Sequence, residues 1–265
     1  MAFSLPLGER LHGQPLPTQD RSAVWQHAAA ASPSVWICMG LVEDKHALRS
    51  SMRGVRDAIG PLQRKGYEDD LAERLYKLPA VRNSRVVGVY QAYGSEASLD
   101  DLVRALRLLD PSPIVAYPVM HADSIITFAA VERGEAPLFV QDPTLIQPLD
   151  IVSSERLVHA EDIDLLFVPG IAFDENCRRL GQGGGCYDRF IPHLRGDCLV
   201  VGVAFDEQIC ESVPYGVHDR RMDYVVTPSR IIQRKLQNLA QARLRFPTKK
   251  PPRRAAFLVL RAPWV

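Results

Sequence analysis

From Asp44 onward the chain takes up a regular apolar rhythm. Leu48, Met52, Val55 and Ile59 recur at helical spacing, Asp44 is placed to cap, and Lys45, Arg49 and Arg56 form a basic stripe on another face. The pair Gly60-Pro61 ends that helix. A second helix is predicted over "YEDDLAERLYKL", with Leu71, Leu75 and Leu78 on one side and acids in its first turn, where the helix dipole favours them. Next come "RVVGVYQAY", an apolar run of strand length, "SLDDLVRALRLLD", whose Leu99, Leu102, Val103, Leu106 and Leu109 make a helical face, and the strand "IVAYPV". Strand, helix, strand predicts a right-handed crossover in a parallel sheet. "SIITFAAV" offers a neighbouring strand, and "IDLLFVP", "CLVVGVAF" and "MDYVVT" add three more. The pattern predicts a three-layer α/β domain. After Ser229, "RIIQRKLQNLAQARLRF" places Ile232, Leu236, Leu239 and Ala240 on one face of an amphipathic helix.

Outside this span the rhythm fades. Residues 1–43 are rich in Pro, Gly, Ala and Ser without a sustained period and read as a loosely ordered extension, 44–230 as the α/β domain, and 231–265 as a C-terminal helix with a basic, proline-rich tail. The 265 residues carry 32 Lys+Arg against 31 Asp+Glu, a net charge of +1, which gives no global pull toward nucleic acid and leaves any anion site local. The apolar stretch from Ala28 to Leu41 is interrupted at Ser32-Pro33-Ser34 and too short to span a bilayer, and the segment before it lacks signal-peptide order. Five cysteines without a C-x-x-C pair suggest neither a disulfide framework nor a zinc site. A soluble protein of the reducing cytosol is expected, with no membrane and no nucleic-acid partner.

Chemistry concentrates in "RLGQGGGCYDRF", residues 179–190, with four glycines in five positions. Backbone N–H groups of such a loop, leading into a helix, suit phosphate oxygens. The absence of G-K-[ST] excludes a Walker A loop, and the glycines do not leave a strand directly, as a dinucleotide fingerprint would require. A carboxylate one turn on, Asp188, is placed to hold Mg²⁺ against such oxygens. An unoccupied glycine-rich turn is the competing reading, disfavoured because so many glycines lose much backbone entropy on folding.

"VPGIAFDENCRRLGQGGGCYDRF" followed by "VGVAFDEQICESVPYGVHDRRMDYVVT" resembles the signature of the 5-formyltetrahydrofolate cyclo-ligase (methenyltetrahydrofolate synthetase) family. The likeness reaches back to "KHALRSSMRGVRDAI" and "YGSEASLDDLV" and covers about residues 45 to 230. It implies an α/β fold of three layers, α/β/α, with a mostly parallel Rossmann-like sheet of the NagB/RpiA/CoA transferase-like kind. It implies an ATP- and Mg²⁺-dependent ligase of one-carbon metabolism that cyclises 5-formyltetrahydrofolate, polyglutamylated forms included, to 5,10-methenyltetrahydrofolate with release of ADP and phosphate, acting as a cytoplasmic monomer. Such chemistry needs positioning and charge neutralisation, and no residue is assigned as acid, base or nucleophile.

Residue by residue, the resemblance implies ATP binding by Lys45, Arg49, Arg179, Leu180, Gly181, Gln182, Gly183, Gly184, Gly185, Cys186 and Tyr187. Folate binding falls to Gln91, Glu96, Gly183, Gly184, Gly185 and Cys186, and Mg²⁺ to Asp188 and Asp219, with Arg189 beside the same phosphates and His218 orienting Asp219. Lys45 and Arg49 at i and i+4 share a helix face independently of any likeness, although a solvated basic stripe would fit them too. For Glu96 a helix N-terminal acid is an equal alternative. Cys186 stands where relatives carry a Tyr, which implies weaker folate binding. Pro192 predicts a short helix after the loop. The alternative function is a non-catalytic folate- or nucleotide-binding homologue that keeps the fold.

Overall fold

The computed structural model describes residues 33–132, 134 and 156–235. The chain divides into two compact units, Met1–Gly40 and Leu41–Val265. Helix α1, Pro33–Asp57, opens well before Asp44, so that Asp44 lies inside it and caps nothing. Met52 and Leu48 turn to the interior while Val55 stays exposed. Arg56, expected in the basic stripe, is buried. Helix α2, Pro61–Tyr76, also starts early, because Pro61 is preorganised for the first helical position. Its acids Glu68, Asp69 and Asp70 therefore sit in mid-helix, and its first turn holds none. Leu71 and Leu75 are its buried face, and Leu78 caps the short helix α3, Pro79–Asn83.

Strand β1, Val86–Gly88, crosses through α4, Asp100–Leu106, to β2, Ile114–Met120, and pairs with it in parallel, as the pattern predicts. The principal sheet continues with β3, Ile126–Ala130, and β4, Leu157–Val158, which run antiparallel at one edge. On the other side of β1 lie β5, Leu165–Pro169, β8, Leu199–Val203, and β10, Tyr224–Val226, all parallel. The last edge is β11, Ile231–Gln233, antiparallel to β10, giving the order β11-β10-β8-β5-β1-β2-β3-β4.

Strand β11 stands where a helix was expected. The residues Ile231-Ile232-Gln233 alternate exposed, buried, exposed, and Ile232 pairs with Val225, so a period of two prevails where β-branched side chains meet a free sheet edge. Positions 236–246 of that expected helix, and the tail beyond, lie outside the described residues.

Both faces of the parallel strands are apolar, which is why they read as unbroken hydrophobic runs. Leu165, Phe167, Val201 and Val203 face α2 and α4 through Leu71, Leu75, Leu102 and Leu106. Leu166, Val168 and Val200 face the other way, onto Phe173, Phe190 and Met222. That second layer is built from short pieces. Strands β6, Ala172–Asp174, β7, Arg179–Leu180, and β9, Ile209–Cys210, form a small sheet ordered β7-β6-β9, joined by helix α5, Cys186–Phe190, and a 3₁₀ turn at Ile191–His193. Helix α5 ends before Pro192, as expected. The crossover from β5 to its parallel neighbour β8 thus consists of β6, β7, the glycine loop and α5, and the loop is fixed to the sheet by that path. Phe173 anchors it: a Cβ on Gly170 or Gly202 would lie 2.5 Å from its ring. Gln208, buried, donates to the carbonyls of Gly170 (2.8 Å) and Ile171 (3.1 Å) and accepts from Phe205 N–H. Among the described residues no helix is long and apolar enough to cross a membrane.

Candidate functional site

In the order β10-β8-β5-β1-β2, successive parallel strands depart in opposite directions from the β5/β1 pair. A crevice opens outside the carboxyl ends of strands at such a switch point. Here it is a cavity of about 580 Å³, lined by Tyr90 and Gln91 just past β1, Pro118 and Met120 on β2, Pro169 and Gly170 at the end of β5, and the whole loop from Arg179 to Asp188. Lys45 and Arg49 from α1, Glu96, and Asp219 complete the wall. Every residue that the sequence resemblance assigned to ATP, folate or metal therefore faces one space.

The loop turns sharply because its glycines allow it. Gly183 has φ 120° and Gly185, which precedes α5, has φ 68°, both in the left-handed region. Gly184 packs so closely that a Cβ there would meet Cys186 Sγ and Ser124 Oγ, each at 3.3 Å. Helix α1 holds the loop from above: Arg49 Nε donates to Gly181 O (2.9 Å), and Arg53 Nη2 to Gln182 Oε1 (2.7 Å). Burial, and the nearby charges of Arg53 and Arg179 against the opposing Asp219, push the Arg49 pKa below its ordinary value. A bound anion would relieve that crowding.

The two acids are neighbours on the cavity wall, Asp188 bonding the backbone next to Asp219. Asp219 Oδ2 accepts from Lys45 Nζ (2.5 Å) and from Gly216 N–H (2.6 Å), and its own carbonyl accepts from Tyr215 OH (2.7 Å). Those contacts, and not exposed His218, orient it. Asp188 Oδ2 accepts from Arg179 Nη2 (2.8 Å) and Oδ1 from Arg220 N–H (2.9 Å). Arg179 is itself buried, donates to Pro169 O (3.2 Å) and lies over the Tyr187 ring, so it holds Asp188 in place. Among the described residues no three His, Cys, Asp or Glu side chains converge on a metal position. Two hard carboxylates with lone pairs to spare nevertheless suit Mg²⁺, which takes one or two protein carboxylates and completes its shell with phosphate oxygens and water.

Arg189 does not join the cations at the cavity. Its Nη2 donates to the carbonyls of Asp123 (3.2 Å), Ser124 (3.0 Å) and Gly184 (2.6 Å), clipping the glycine loop to the β2–β3 turn. That turn carries two consecutive residues at positive φ, Asp123 (58°) and Ser124 (56°), and presents Ser124 to the cavity.

Glu96, also on the cavity wall, is buried. It accepts from Tyr93 N–H (3.1 Å) and Gln182 Nε2 (3.2 Å), with Arg56 Nη1 at 3.8 Å. Burial raises its pKa, against the lowering effect of those three partners. It is a wall residue of the cavity and not merely a helix-start acid. Buried Tyr90 and half-buried Tyr187 have phenol pKa values pushed up by desolvation. Cys186 contacts Met120 across the cavity, Sγ to Sδ 3.8 Å. Sequence reasoning missed Tyr90, Tyr93, Met120, His121 and Ser124, although polar residues interrupting the apolar run at "MHADS" were a signal.

A sequence model of the 5-formyltetrahydrofolate cyclo-ligase family matches residues 41–228. The chain is 37% identical over 189 residues to the mouse 5-formyltetrahydrofolate cyclo-ligase, covering 69% of this chain and 92% of that one. It is 29% identical over 187 residues to the enzyme of that name from Escherichia coli strain K12, covering 68% and 98%. The solved structure of 5,10-methenyltetrahydrofolate synthetase from Aquifex aeolicus superposes with a TM-score of 0.57 at 25% identity, over 74% of this chain and 97% of that one. The synthetase from Mycoplasma pneumoniae has the same fold, with a TM-score of 0.57 at 20% identity over 70% and 99%.

Proposed function

The chain belongs to the 5-formyltetrahydrofolate cyclo-ligase family, and on that premise we propose that it closes 5-formyltetrahydrofolate to 5,10-methenyltetrahydrofolate with ATP and Mg²⁺. The observation that carries this reading is the convergence, on the wall of one cavity at the carboxyl ends of the parallel strands, of a glycine loop, Lys45, Arg49, two carboxylates and buried Glu96. Lys45, Arg49 and the N–H groups of residues 181–185 grip the triphosphate. Asp188 and Asp219 are the carboxylates that would hold Mg²⁺, whose chemistry there is to neutralise charge on the phosphate oxygens. Glu96 accepts from the pterin amino and ring N–H groups, and Gln91 and Cys186 line the same end.

The formyl oxygen attacks the γ-phosphorus, forming an O–P bond as the bond to the β-phosphate oxygen breaks and ADP departs with its electron pair. The activated formyl carbon is then attacked by N10, which loses its proton. The C–O bond breaks, phosphate leaves, and the five-membered ring closes as the methenyl cation. Residues 44–230 form the catalytic domain, residues 1–43 are an extension to it, and the chain works as a cytoplasmic monomer on folates that include polyglutamylated forms.

The test is direct. Purified protein given 5-formyltetrahydrofolate, ATP and Mg²⁺ develops the near-ultraviolet absorbance of the methenyl product, and none forms without ATP. Asp188→Asn, which keeps the acceptor for Arg220 N–H but removes the charge, lowers turnover by roughly 100-fold while thermal melting shows the fold intact. Absence of product from protein that still binds folate and nucleotide would sink the catalytic reading and leave a non-catalytic binding homologue.

A further inference from the structure

We propose that Gln182, at the one non-glycine position within the loop's 181–185 run, is a positioning residue that couples occupancy of the nucleotide loop to the folate-side carboxylate of Glu96. The inference rests on the cyclo-ligase reading of the same cavity and deepens it. Gln182 bridges α1 and Glu96: its Oε1 accepts from Arg53 on α1 at 2.7 Å, and its Nε2 donates to Glu96 Oε1 at 3.2 Å. The loop on either side is held separately, Gly181 through its carbonyl by Arg49 and Gly184 through its carbonyl by Arg189. Between them Gly183, at φ 120°, turns the backbone after Gln182 through a conformation that glycine adopts readily. Polyphosphate gripped by the loop N–H groups fixes the backbone that carries Gln182, and with it the amide that orients Glu96. Folate then meets a carboxylate already in place, and less ordering remains to oppose its binding. Linkage requires the reverse effect to be equal: bound folate tightens nucleotide.

The amide also favours the ionised form of Glu96. The other groups facing that carboxylate are Arg56 from α1, Arg179 from β7, the N–H of Tyr93, and the phenols Tyr90 after β1 and Tyr187 on α5. Among them Gln182 is the neutral donor carried by the glycine loop itself.

The experiment compares the full chain with Gln182→Met, which keeps the side chain's length and removes both hydrogen bonds. Affinity for 5-formyltetrahydrofolate is measured by calorimetry with and without a non-hydrolysable ATP analogue, and product formation is followed across pH. In the unsubstituted protein the analogue tightens folate roughly fivefold or more, the lower end of usual site–site coupling. In Gln182→Met that factor falls toward one, and the acid limb of the folate KM profile moves to higher pH, because Glu96 has lost a donor to its charged form. A purely structural role for Gln182 would weaken both ligands without changing the coupling or the profile. Equal coupling and an unmoved acid limb in the variant overturn the inference while leaving the cyclo-ligase reading intact, as does an unsubstituted protein that makes product without any coupling. Failure of the unsubstituted protein to make product overturns both.

Discussion

Glu96 concentrates the electrostatic tension of the site. Burial drives its carboxyl toward the neutral form more strongly than Tyr93 N–H, Gln182 and Arg56 draw it toward the charged one, and its pKa lies above the ordinary carboxylate value. Folding therefore favours its protonated form. Its contribution to stability is most favourable below the ordinary glutamate pKa and declines as pH rises through the folded value. Glu96→Gln removes that decline, so the melting temperature of the variant gains on the native protein as pH is raised from the acid side to neutrality. Melts across that range check it, and a gap that moves the other way would refute it. The same substitution removes an anionic acceptor from the folate end and raises folate KM. At this scale much of the site was legible: Lys45 and Arg49 from their shared helix face, the loop from its glycines, and Asp188, Asp219 and Glu96 from the family likeness. The bridge made by Gln182, which the likeness gave only as an ATP-loop residue, was not, because its two partners come from α1 and from the turn before α4. The clip made by Arg189 was hidden for the same reason, since two of its carbonyl partners belong to the β2–β3 turn.

The elements that carry the site were readable where apolar runs were long and bounded. Strands β1, β5, β8 and β10 fall inside the predicted runs, β2 outruns its own by Met120 alone, and α5 stops ahead of Pro192. What escaped is the small sheet of β6, β7 and β9, whose strands are only two or three residues long and show no period. Yet those strands hold the loop against the main sheet, through a contact with no room to spare. Gly202 on β8 allows the Phe173 ring to lie where a side chain would otherwise be. Gly202→Ala puts a methyl 2.5 Å from that ring and 3.2 Å from Met222, and both neighbours are fully buried. Overpacking of this kind costs about 1–3 kcal/mol. Denaturant unfolding should show that loss, and because β6 leads through β7 into the glycine loop, folate and nucleotide binding should weaken with it. An unchanged midpoint would mean that the second layer moves away from the sheet more easily than its packing implies.

At the scale of the molecule, the site is a consequence of topology. Reversal of strand order between β1 and β5 leaves a crevice, and the β5-to-β8 crossover fills one side of it with a loop in place of a covering helix. No local sequence pattern states that β1 and β5 are neighbours, which is why the cavity wall at Tyr90, Pro118 and Met120 went unread while the loop did not. Among the described residues, those that line the cavity fall between Lys45 and Asp219, inside the segment 41–228 matched by the family. Helix α1 must be kept whole, since Lys45, Arg49 and Arg53 hang from it. A chain trimmed to residues 33–235 should therefore keep the ATP-dependent formation of methenyltetrahydrofolate. It should also keep the ligand-induced rise in melting temperature, which at a nucleotide concentration 100 times its dissociation constant corresponds to about 2.7 kcal/mol. Retention of both locates the cyclo-ligase in the α/β domain alone. Loss of the nucleotide-dependent rise in a trimmed chain that still melts cooperatively would assign part of the nucleotide's binding energy to the extensions.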